Sequence, residues 1–399
     1  MWDSTLKSIK EANFRANRGY ELVLFDRLSS EQRAVLNGVE ADPNLYGILQ
    51  PRAPSVLRVK AVCHETALLY LTLQQAGSLP AYVQAKFDER RNQEIAELVL
   101  DGVLEVEREG AFVSGAEAYP LIYWGEPQEQ TGGIIPRLSV EALMYAQSLE
   151  IDEAAKLSAR IYFYNRIPFS PRWRRSFPTE GAVARHLGIE PGGSNETALA
   201  RGWSKVSGGA SGEGWHLWKS RRAQRETQAA GITYKLYVSP GCDQVREAFG
   251  EAVAALVKSG AICLKVGRDV FGLLRPDKIV AYFYRLEELL EVAEELRRKL
   301  EGCPAHGVTF TAEIGEDGLL SWGMDPPLGQ AALVWQERES WRLWVTNRLA
   351  MALLDAKSGG ASAVEPWRFA LERLRLEGVD TRTWTPANTI WDEEPSTQG

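Results

Sequence analysis

The clearest succession of strand and helix patterns in this chain lies in residues 232–327, which begin ITYKLYVSP (232–240) and end LLSWGMDPP (319–327). In the opening run apolar and polar residues alternate over 232–239, which is the period-2 pattern of a β-strand, and Pro-Gly then stops it. The patterns in between, in order, are a helix 245–257, a strand 261–269, a strand 273–284, a helix 286–300 and a strand 307–315. This order predicts an α+β unit with a mainly antiparallel sheet flanked by helices.

The composition is that of an ordinary folded protein. Of 399 residues, 45% are hydrophobic and 25% charged, which suits two or three domains and a large core. The net charge of −7 argues against a nucleic-acid-binding protein, because such proteins carry basic surfaces. Residues 1–21 lack the apolar stretch of a signal peptide, and no window is apolar over the length of a membrane span. We therefore expect a cytoplasmic protein with no nucleic-acid or membrane partner.

The sequence contains no metal or cofactor pattern. The four cysteines, Cys63, Cys242, Cys263 and Cys303, are scattered and form no CxxC pair or Cys/His cluster, which predicts buried, reduced thiols. GxSxG, HExxH and GxGxxG are absent, and the glycine-rich run 206–214 lacks the spacing of a phosphate loop. We expect no metal and no cofactor.

The N-terminal region combines helical patterns with one small hairpin. Residues 1–40 have helical character, and VLRVKAV (56–62) alternates as a strand. In DGVLEVEREGAFVSG (101–115) the Glu109-Gly110 turn joins two short strands after a helix. Helices followed by such a hairpin are typical of a winged helix-turn-helix. DNA binding is disfavoured, because residues 88–109 are too acidic to lie on phosphates.

The order of strand, helix ETALLYLTLQQAG (65–77), second helix and hairpin resembles the winged-helix recognition element of ribosomal-peptide modification systems, over residues 46–115. The resemblance implies that a leader peptide adds a strand to a β-edge near 56–62 and packs against a helix face. It implies that the peptide is bound by Val56, Val59, Ile95, Leu98 and Val99. A winged helix used only for packing is the alternative.

Aromatic and arginine residues are abundant in the second half of the chain. The chain has thirteen tryptophans, and Trp215 and Trp218 flank His216 in GWHLWKS (214–220), beside the glycine-rich run. Aromatic residues and arginine are enriched at interfaces, so these two tryptophans are candidate peptide-binding residues, with core filling as the alternative. The segment NRIPFSPRWRRSFP (165–178) carries four arginines that could meet an anion or an acidic peptide; a solvated loop is the alternative.

The central unit, with KLYVSP, LKV and RPDKIVAYF in this order, resembles the domain of HopA-type secreted effectors over residues 233–327. Homologues of that domain in ribosomal-peptide clusters are associated with elimination of phosphate from phosphothreonine or phosphoserine. Elimination needs a base of lowered pKa, an acid for the leaving phosphate and cations that hold its charge. The candidate bases are Lys235 and Lys265, expected on adjacent strands, and the candidate acids are His216 and His306. The candidate phosphate-binding residues are Arg268, Arg275 and Lys278, although solvent-facing strand lysines and a surface Arg275–Asp277 pair are the plain alternatives.

We expect a winged-helix-like recognition region (1–125), a helical middle (126–225), a HopA-like α+β domain (226–391) and a disordered tail (392–399). The predicted function is binding of a precursor peptide in the biosynthesis of a ribosomally synthesised, modified peptide, and its presentation to the modifying enzymes of the pathway. Peptide-binding proteins of crocagin-type pathways are the nearest analogue. The alternatives are a phosphothreonine or phosphoserine lyase acting on such a peptide, and a protein-interaction scaffold or effector.

Overall fold

The structure is a computed structural model, and it describes residues 9–36, 42–52, 57–86, 89–122, 132–206, 214–222, 232–325, 339–358, 364–387 and 390. The helices are α1 Ser30–Val35, α2 His64–Thr72, α3 Ala81–Gln84, α4 Glu89–Leu100, α5 Gly115–Ile122, α6 Ile134–Gln147, α7 Ala154–Tyr162, α8 Pro171–Ser176, α9 Glu180–His186, α10 Ser194–Ala200, α11 Val245–Leu256, α12 Val270–Leu273, α13 Leu286–Lys299, α14 Trp341–Ser358 and α15 Pro366–Leu376.

The strands are β1 Asn13–Ala16, β2 Tyr20–Leu24, β3 Leu45–Pro51, β4 Lys60–Cys63, β5 Gly77–Ser78, β6 Leu104–Arg108, β7 Ala111–Val113, β8 Trp203–Val206, β9 Trp215–Ser220, β10 Thr233–Val238, β11 Cys263–Gly267, β12 Ile279–Phe283, β13 Ala312–Ile314, β14 Leu320–Asp325, β15 Val379–Asp380 and β16 Thr385–Pro386. The fold is α+β, as the sequence predicted.

The chain divides into two compact units. The first comprises Met1–Gln128, Gly329–Arg338 and Arg348–Glu377, and the second comprises Glu129–Leu328, Glu339–Asn347 and Gly378–Gly399. Within the described residues, no helix has the length and apolar character needed to cross a membrane.

The first unit contains two small antiparallel sheets, in the orders β5-β1-β6-β7 and β2-β3-β4. The helical character expected for 1–40 is wrong over 13–24, where β1 and β2 form because alternate side chains such as Phe14 and Ala16 are buried in the core. The predicted hairpin is confirmed: β6 and β7 pair across Glu109 and Gly110, which both have positive φ. The winged-helix interpretation of this unit stays a prediction.

The second unit is built on an antiparallel sheet in the order β13-β14-β10-β12-β11-β9-β8 within the described residues. Strands β10, β11, β12 and β13 and helices α11 and α13 fall within the ranges where the sequence pattern predicted strands and helices. The predicted helical middle contains α6 and α7. Ser139 is a buried interior residue of α6, and its hydroxyl donates to the Ile135 carbonyl.

The two faces of this sheet have different chemistry. On one face, which we call the core face, Leu236, Leu264 and Ala281 join the main hydrophobic core with side chains of α11 and α13. Because side chains alternate along a strand, the residues between them point to the opposite face. That face, which we call the polar face, carries Lys235 on β10 and Lys265 on β11.

Candidate functional site

Lys235 and Lys265 approach one aromatic ring on the polar face. They are not on adjacent strands, as the sequence had led us to expect, because β12 lies between β10 and β11. Tyr282 of β12 is directly opposite Lys235 in the register. Its ring centroid lies 5.1 Å from the Lys235 Nζ and 5.5 Å from the Lys265 Nζ. The strand order therefore brings together two amines that are 30 residues apart in the chain, with a tyrosine ring between them.

The two lysines differ in their partners. The Nζ of Lys235 forms an ion pair with the Asp325 Oδ2 at 2.5 Å, and its side chain is only 6% exposed. The Nζ of Lys265 lies 4.3 Å from the ring centroid of Trp215, at the end of β9. Burial, and then the positive charge of Lys235, lower the pKa of Lys265 to about 8. Lys265 is therefore an amine that can lose its proton near neutral pH.

Arg275, which follows α12, supplies a guanidinium next to this amine. Its Cζ lies 4.9 Å from the Trp215 ring centroid, and its Nε and Nη2 both donate to Asp277, each at 2.8 Å. Although burial opposes it, this bond to Asp277 raises the pKa of Arg275 further, so the guanidinium stays charged. The surface ion pair considered from the sequence is instead a partly buried one, since the Asp277 side chain is 5% exposed.

Arg342 of α14 holds Asp277 from the interior. Its Nη1 donates to the Asp277 Oδ2 at 2.9 Å, its Nη2 to the Tyr162 carbonyl at 2.8 Å and its Nε to the Thr309 carbonyl at 3.2 Å. The Tyr162 hydroxyl also donates to Asp277, at 3.2 Å. Burial would raise the pKa of Asp277, but the two arginines hold it well below its usual range. Since two guanidinium groups share one carboxylate, this group of residues keeps a net positive charge.

The close approach of α14 depends on one glycine. Gly323 of β14 faces Lys235 in the register, and a Cβ built on it would lie 2.3 Å from the Trp341 ring. Trp341 is fully buried, and its Nε1 donates to the Phe310 carbonyl at 3.0 Å. Only glycine leaves room for this indole, which is the neighbour of Arg342 in α14.

These residues can bind an anion beside a basic amine. Lys235, Arg275 and Arg342 are three cations facing two carboxylates, Asp277 and Asp325, so the group has an excess of one positive charge even when Lys265 is neutral. The partly buried surroundings strengthen its attraction for an anion relative to water. An anionic substrate would reach Lys265 and Arg275, which are less buried than Arg342.

His306 and Lys278 form a buried hydrogen bond with each other, so neither side chain is available to a substrate. The Lys278 Nζ donates to the His306 Nδ1 at 2.9 Å and to the Pro240 carbonyl at 2.9 Å, and it is fully buried. The His306 Nε2 then carries the proton and donates to the Asn165 carbonyl. Burial and the Lys278 charge lower the pKa of His306 to about 3. His306 thus has no nitrogen left for a leaving group, and Lys278 has no path to a phosphate.

His216, Trp218 and Arg268 lie away from the lysines. His216 pairs with Val266, a core-face residue, so its ring is on the opposite side of the sheet from Lys265. Trp218 is buried in the same core, 6.4 Å from the Phe249 ring. Arg268 forms an exposed ion pair with Glu180 at 2.8 Å. Of the sequence candidates, the structure brings together Lys235, Lys265, Trp215 and Arg275.

The candidate peptide-binding residues of the first unit are mostly in its interior. Ile95 and Val99 of α4 are buried, at 2% and 0% exposure, while Leu98 and Val59 are partly buried against the core. Val56 lies outside the described residues. Two leucines of α2 are exposed instead, Leu68 by 51% and Leu71 by 47%.

Sequence reasoning did not select Tyr162, Tyr282, Asp325 or Arg342. One of them had a local signal. Tyr282 lies two residues after Val280, so both side chains are on the same face of the strand, and assigning that face to the polar side of the sheet could have included Tyr282. Arg342 lies in a helix with apolar residues all around it, and nothing in its neighbourhood in the sequence marks it as the partner of Asp277.

No protein-family model matches this chain, and no curated protein matches it. Among solved structures, the effector protein from Pseudomonas syringae pv. tomato strain DC3000 is similar with 12% identity and a TM-score of 0.39, covering 64% of this chain and 98% of that chain. The effector from Pseudomonas syringae pv. syringae strain 61 has 14% identity and a TM-score of 0.35, covering 63% and 97%.

The phosphothreonine lyase effector VirA (SpvC) of Chromobacterium violaceum has 16% identity and a TM-score of 0.26, covering 37% of this chain and 77% of that chain. The structural neighbours are thus effectors and phosphothreonine lyases at low identity. Because each TM-score is below 0.5, none of these likenesses assigns a function to the chain.

Proposed function

We propose that this protein is a lyase that eliminates phosphate from phosphothreonine or phosphoserine in a peptide. The observation that carries the proposal is the setting of Lys265, an amine with a pKa of about 8 between two aromatic rings and next to Lys235 and Arg275. Removal of a Cα proton needs a neutral amine and nearby cations that stabilise the developing negative charge. Lys265 has both.

In the proposed reaction the Lys265 amine takes the Cα proton of the phosphorylated residue. The electron pair of that C–H bond forms a Cα=Cβ double bond, and the Cβ–O bond breaks with its electrons leaving on phosphate. The products are a dehydro residue, inorganic phosphate and a protonated Lys265, and Lys235 becomes neutral because it gives its proton to the leaving phosphate. No cofactor or oxidant is required. Arg275 and Lys235 bind the phosphate oxygens through charge-assisted hydrogen bonds. Without a free histidine in this group, Lys235 is the residue that protonates the leaving phosphate.

The test is incubation of the full chain with phosphothreonine and phosphoserine peptides. We expect phosphate release together with a dehydro residue detected by mass spectrometry. Lys265→Ala should lower the rate by about a hundredfold or more, as loss of a general base does. Lys258→Ala is the matched control, because Lys258 is an exposed lysine just after α11, the helix on the core face. Phosphate release that leaves an intact hydroxyl residue would show hydrolysis and contradict the proposal, as would no reaction with either peptide.

We further propose that the peptide is the precursor of a ribosomally synthesised, modified peptide, whose other biosynthetic enzymes are partners of this protein. A second candidate function, binding and presentation of that precursor, is favoured by one observation in the first unit. In the described residues β4 pairs only with β3, and α2, which follows it directly, exposes Leu68 and Leu71. An open strand edge next to apolar anchors is the arrangement that binds an extended peptide by β-augmentation.

This second candidate is tested by calorimetric titration with a full-length precursor peptide encoded beside the gene. Binding should be retained by the leader segment alone and weakened by Leu68→Asp with Leu71→Asp. The control is Leu290→Asp, which changes a leucine of α13 in the other unit that is 41% exposed. Absence of binding to the precursor contradicts this function and leaves the lyase assay to decide the other.

A further inference from the structure

A row of arginines and aromatic rings begins at Arg275 and continues over the surface of the second unit. The Arg275 Cζ lies 5.5 Å from the ring centroid of Phe163. The Arg166 Cζ lies 5.6 Å from the same ring and 6.0 Å from that of Phe271. Each guanidinium is within the distance at which a cation and a ring attract one another.

The row extends from Phe271 to an exposed arginine, Arg174. The rings of Phe271 and Phe169 are 4.9 Å apart, and the Arg174 Cζ lies 5.3 Å from the Phe169 ring centroid. The three phenylalanines are unusually open for their size: Phe163 is 41% exposed, Phe169 38% and Phe271 48%. We call Phe163, Arg166, Phe169, Arg174 and Phe271 the arginine–aromatic row.

Backbone bonds hold the row in place. Asn165 has a positive φ of 63°, and its side chain donates to the His306 carbonyl at 2.6 Å. The Ile167 amide donates to the Leu274 carbonyl at 3.0 Å, and the Arg166 Nη2 donates to the Phe271 carbonyl at 3.0 Å. The loop after α7 is therefore fixed against α12 before any ligand arrives, which lowers the entropic cost of binding.

The carboxylates next to the row are already engaged. Asp269 caps α12 by accepting from the Gly272 amide at 2.8 Å, and Asp277 is bound by Arg275 and Arg342. Arg174 has no carboxylate partner among the described residues. A guanidinium stacked on a ring still presents its in-plane N–H groups, which fit carboxylates. The row thus offers positive charge and apolar contact to the part of a bound ligand that extends beyond the candidate site.

We infer that the arginine–aromatic row is a docking surface for an acidic segment of the substrate peptide, next to its phosphorylated residue. This inference rests on the proposed function, because the row is continuous with Arg275 of the site. The occupant is a peptide of Asp and Glu residues with interspersed apolar side chains, since carboxylates match the arginines and apolar groups match the open rings.

The test compares affinities of labelled peptides for the full chain by fluorescence anisotropy. One phosphothreonine peptide carries neutral flanks and the other carries acidic flanks on both sides. We expect the acidic peptide to bind about tenfold more tightly, equivalent to about 1.4 kcal/mol, with a preference that weakens as salt is raised. Arg166→Gln with Arg174→Gln should bring the ratio of the two affinities close to one.

Arg285→Gln with Arg298→Gln is the control, because it removes the same charge from exposed arginines, at the far end of β12 and on α13. The single change Arg174→Gln, in an exposed side chain, tests the row without disturbing the bond from Arg166 to Phe271. A ratio of one in the unchanged protein, or an equal loss in the control, overturns the inference. Binding to anionic vesicles that the double variant loses, with no peptide preference, also overturns it and assigns the row to a membrane.

Different results would contradict the docking surface and the proposed lyase function. An acidic preference that depends on Arg166 and Arg174, without any dehydro product, supports the docking surface and contradicts the lyase. A dehydro product formed equally from both peptides supports the lyase and contradicts the docking surface.

Discussion

The charge of Lys235 affects Lys265, and the Tyr282 ring lies near both amines. Burial is the largest cause of the lowered pKa of Lys265, and the charge of Lys235 is the next. Asp325 and Asp277 act in the opposite direction, because negative charges favour the protonated amine. The reactivity of Lys265 therefore depends on a neighbour that is itself held by a carboxylate.

Lys235→Met should raise the pKa of Lys265 above about 8, because it removes a like charge and leaves Asp325 without its partner. The measurement is the pH dependence of acetylation at Lys265, followed by mass spectrometry, which needs no enzymatic activity. Lys205→Met is the control, because the Lys205 Nζ lies over Trp218, a residue buried in the core-face cluster. An unchanged pKa of Lys265 in Lys235→Met would contradict a contribution of the Lys235 charge to the shift.

At the scale of elements, the site depends on how α14 packs against β14. Gly323 has no side chain where the Trp341 indole lies, and Trp341 stacks on Trp344 with ring centroids 5.5 Å apart. The same helix positions Arg342 against Asp277. Packing of the helix and charge balance in the site are therefore linked through one glycine.

Gly323→Ala should destabilise the protein by about 1–3 kcal/mol, as overpacking of a filled core does. The Trp341 ring must move, so the intrinsic fluorescence should also change. Denaturant unfolding followed by tryptophan emission measures both effects. Gly202→Ala is the matched control, because a Cβ there meets nothing within 4 Å. Equal stability of the two variants would contradict the packing described here.

At the scale of the whole molecule, each unit contains buried titratable groups, and the stability of the two units should depend on pH in opposite directions. In the first unit, burial raises the pKa of Glu97 to about 8, and Glu377 and Asp101 add to the shift. In the second, burial lowers the pKa of His306 to about 3 and that of His216 to about 4. Each unit should therefore respond differently to pH.

Raising the pH from 5 to 8 should weaken the first unit and strengthen the second. Native Glu97 binds a proton that the unfolded chain loses above about pH 4.5, so its contribution is lost as pH rises toward 8. Native His306 stays neutral at a pH where the unfolded imidazole binds a proton, which is below about pH 6.5. The loss of stability that this causes becomes smaller as the pH rises from 5 to 8.

The measurement is hydrogen exchange after equilibration in urea at each pH, with labelling at one fixed pH. Glu97→Gln should reduce the dependence of the first unit alone, and His306→Gln should reduce that of the second alone, where His216 still contributes. Parallel shifts of both units with pH would contradict this assignment.

Local patterns predicted much of the second unit. Alternation identified β10, and strands were also predicted over the ranges that contain β11 and β12. Lys235 and Lys265 lie where a strand turns a polar side chain away from the core. The Glu109-Gly110 turn predicted the hairpin of the first unit, because only a few residue types adopt positive φ at both turn positions.

The main strands and helices of residues 232–325 and the spacing of the cationic side chains along them could be predicted from the sequence, because these properties depend on neighbouring residues in the chain. The tertiary structure was needed to show that β12 separates the two lysines, that His216 points away from them and that His306 is bonded to Lys278. It also brought Arg342 to Asp277 across 65 residues. Strand order and helix packing follow from which edges and faces meet, and no short sequence pattern encodes that choice.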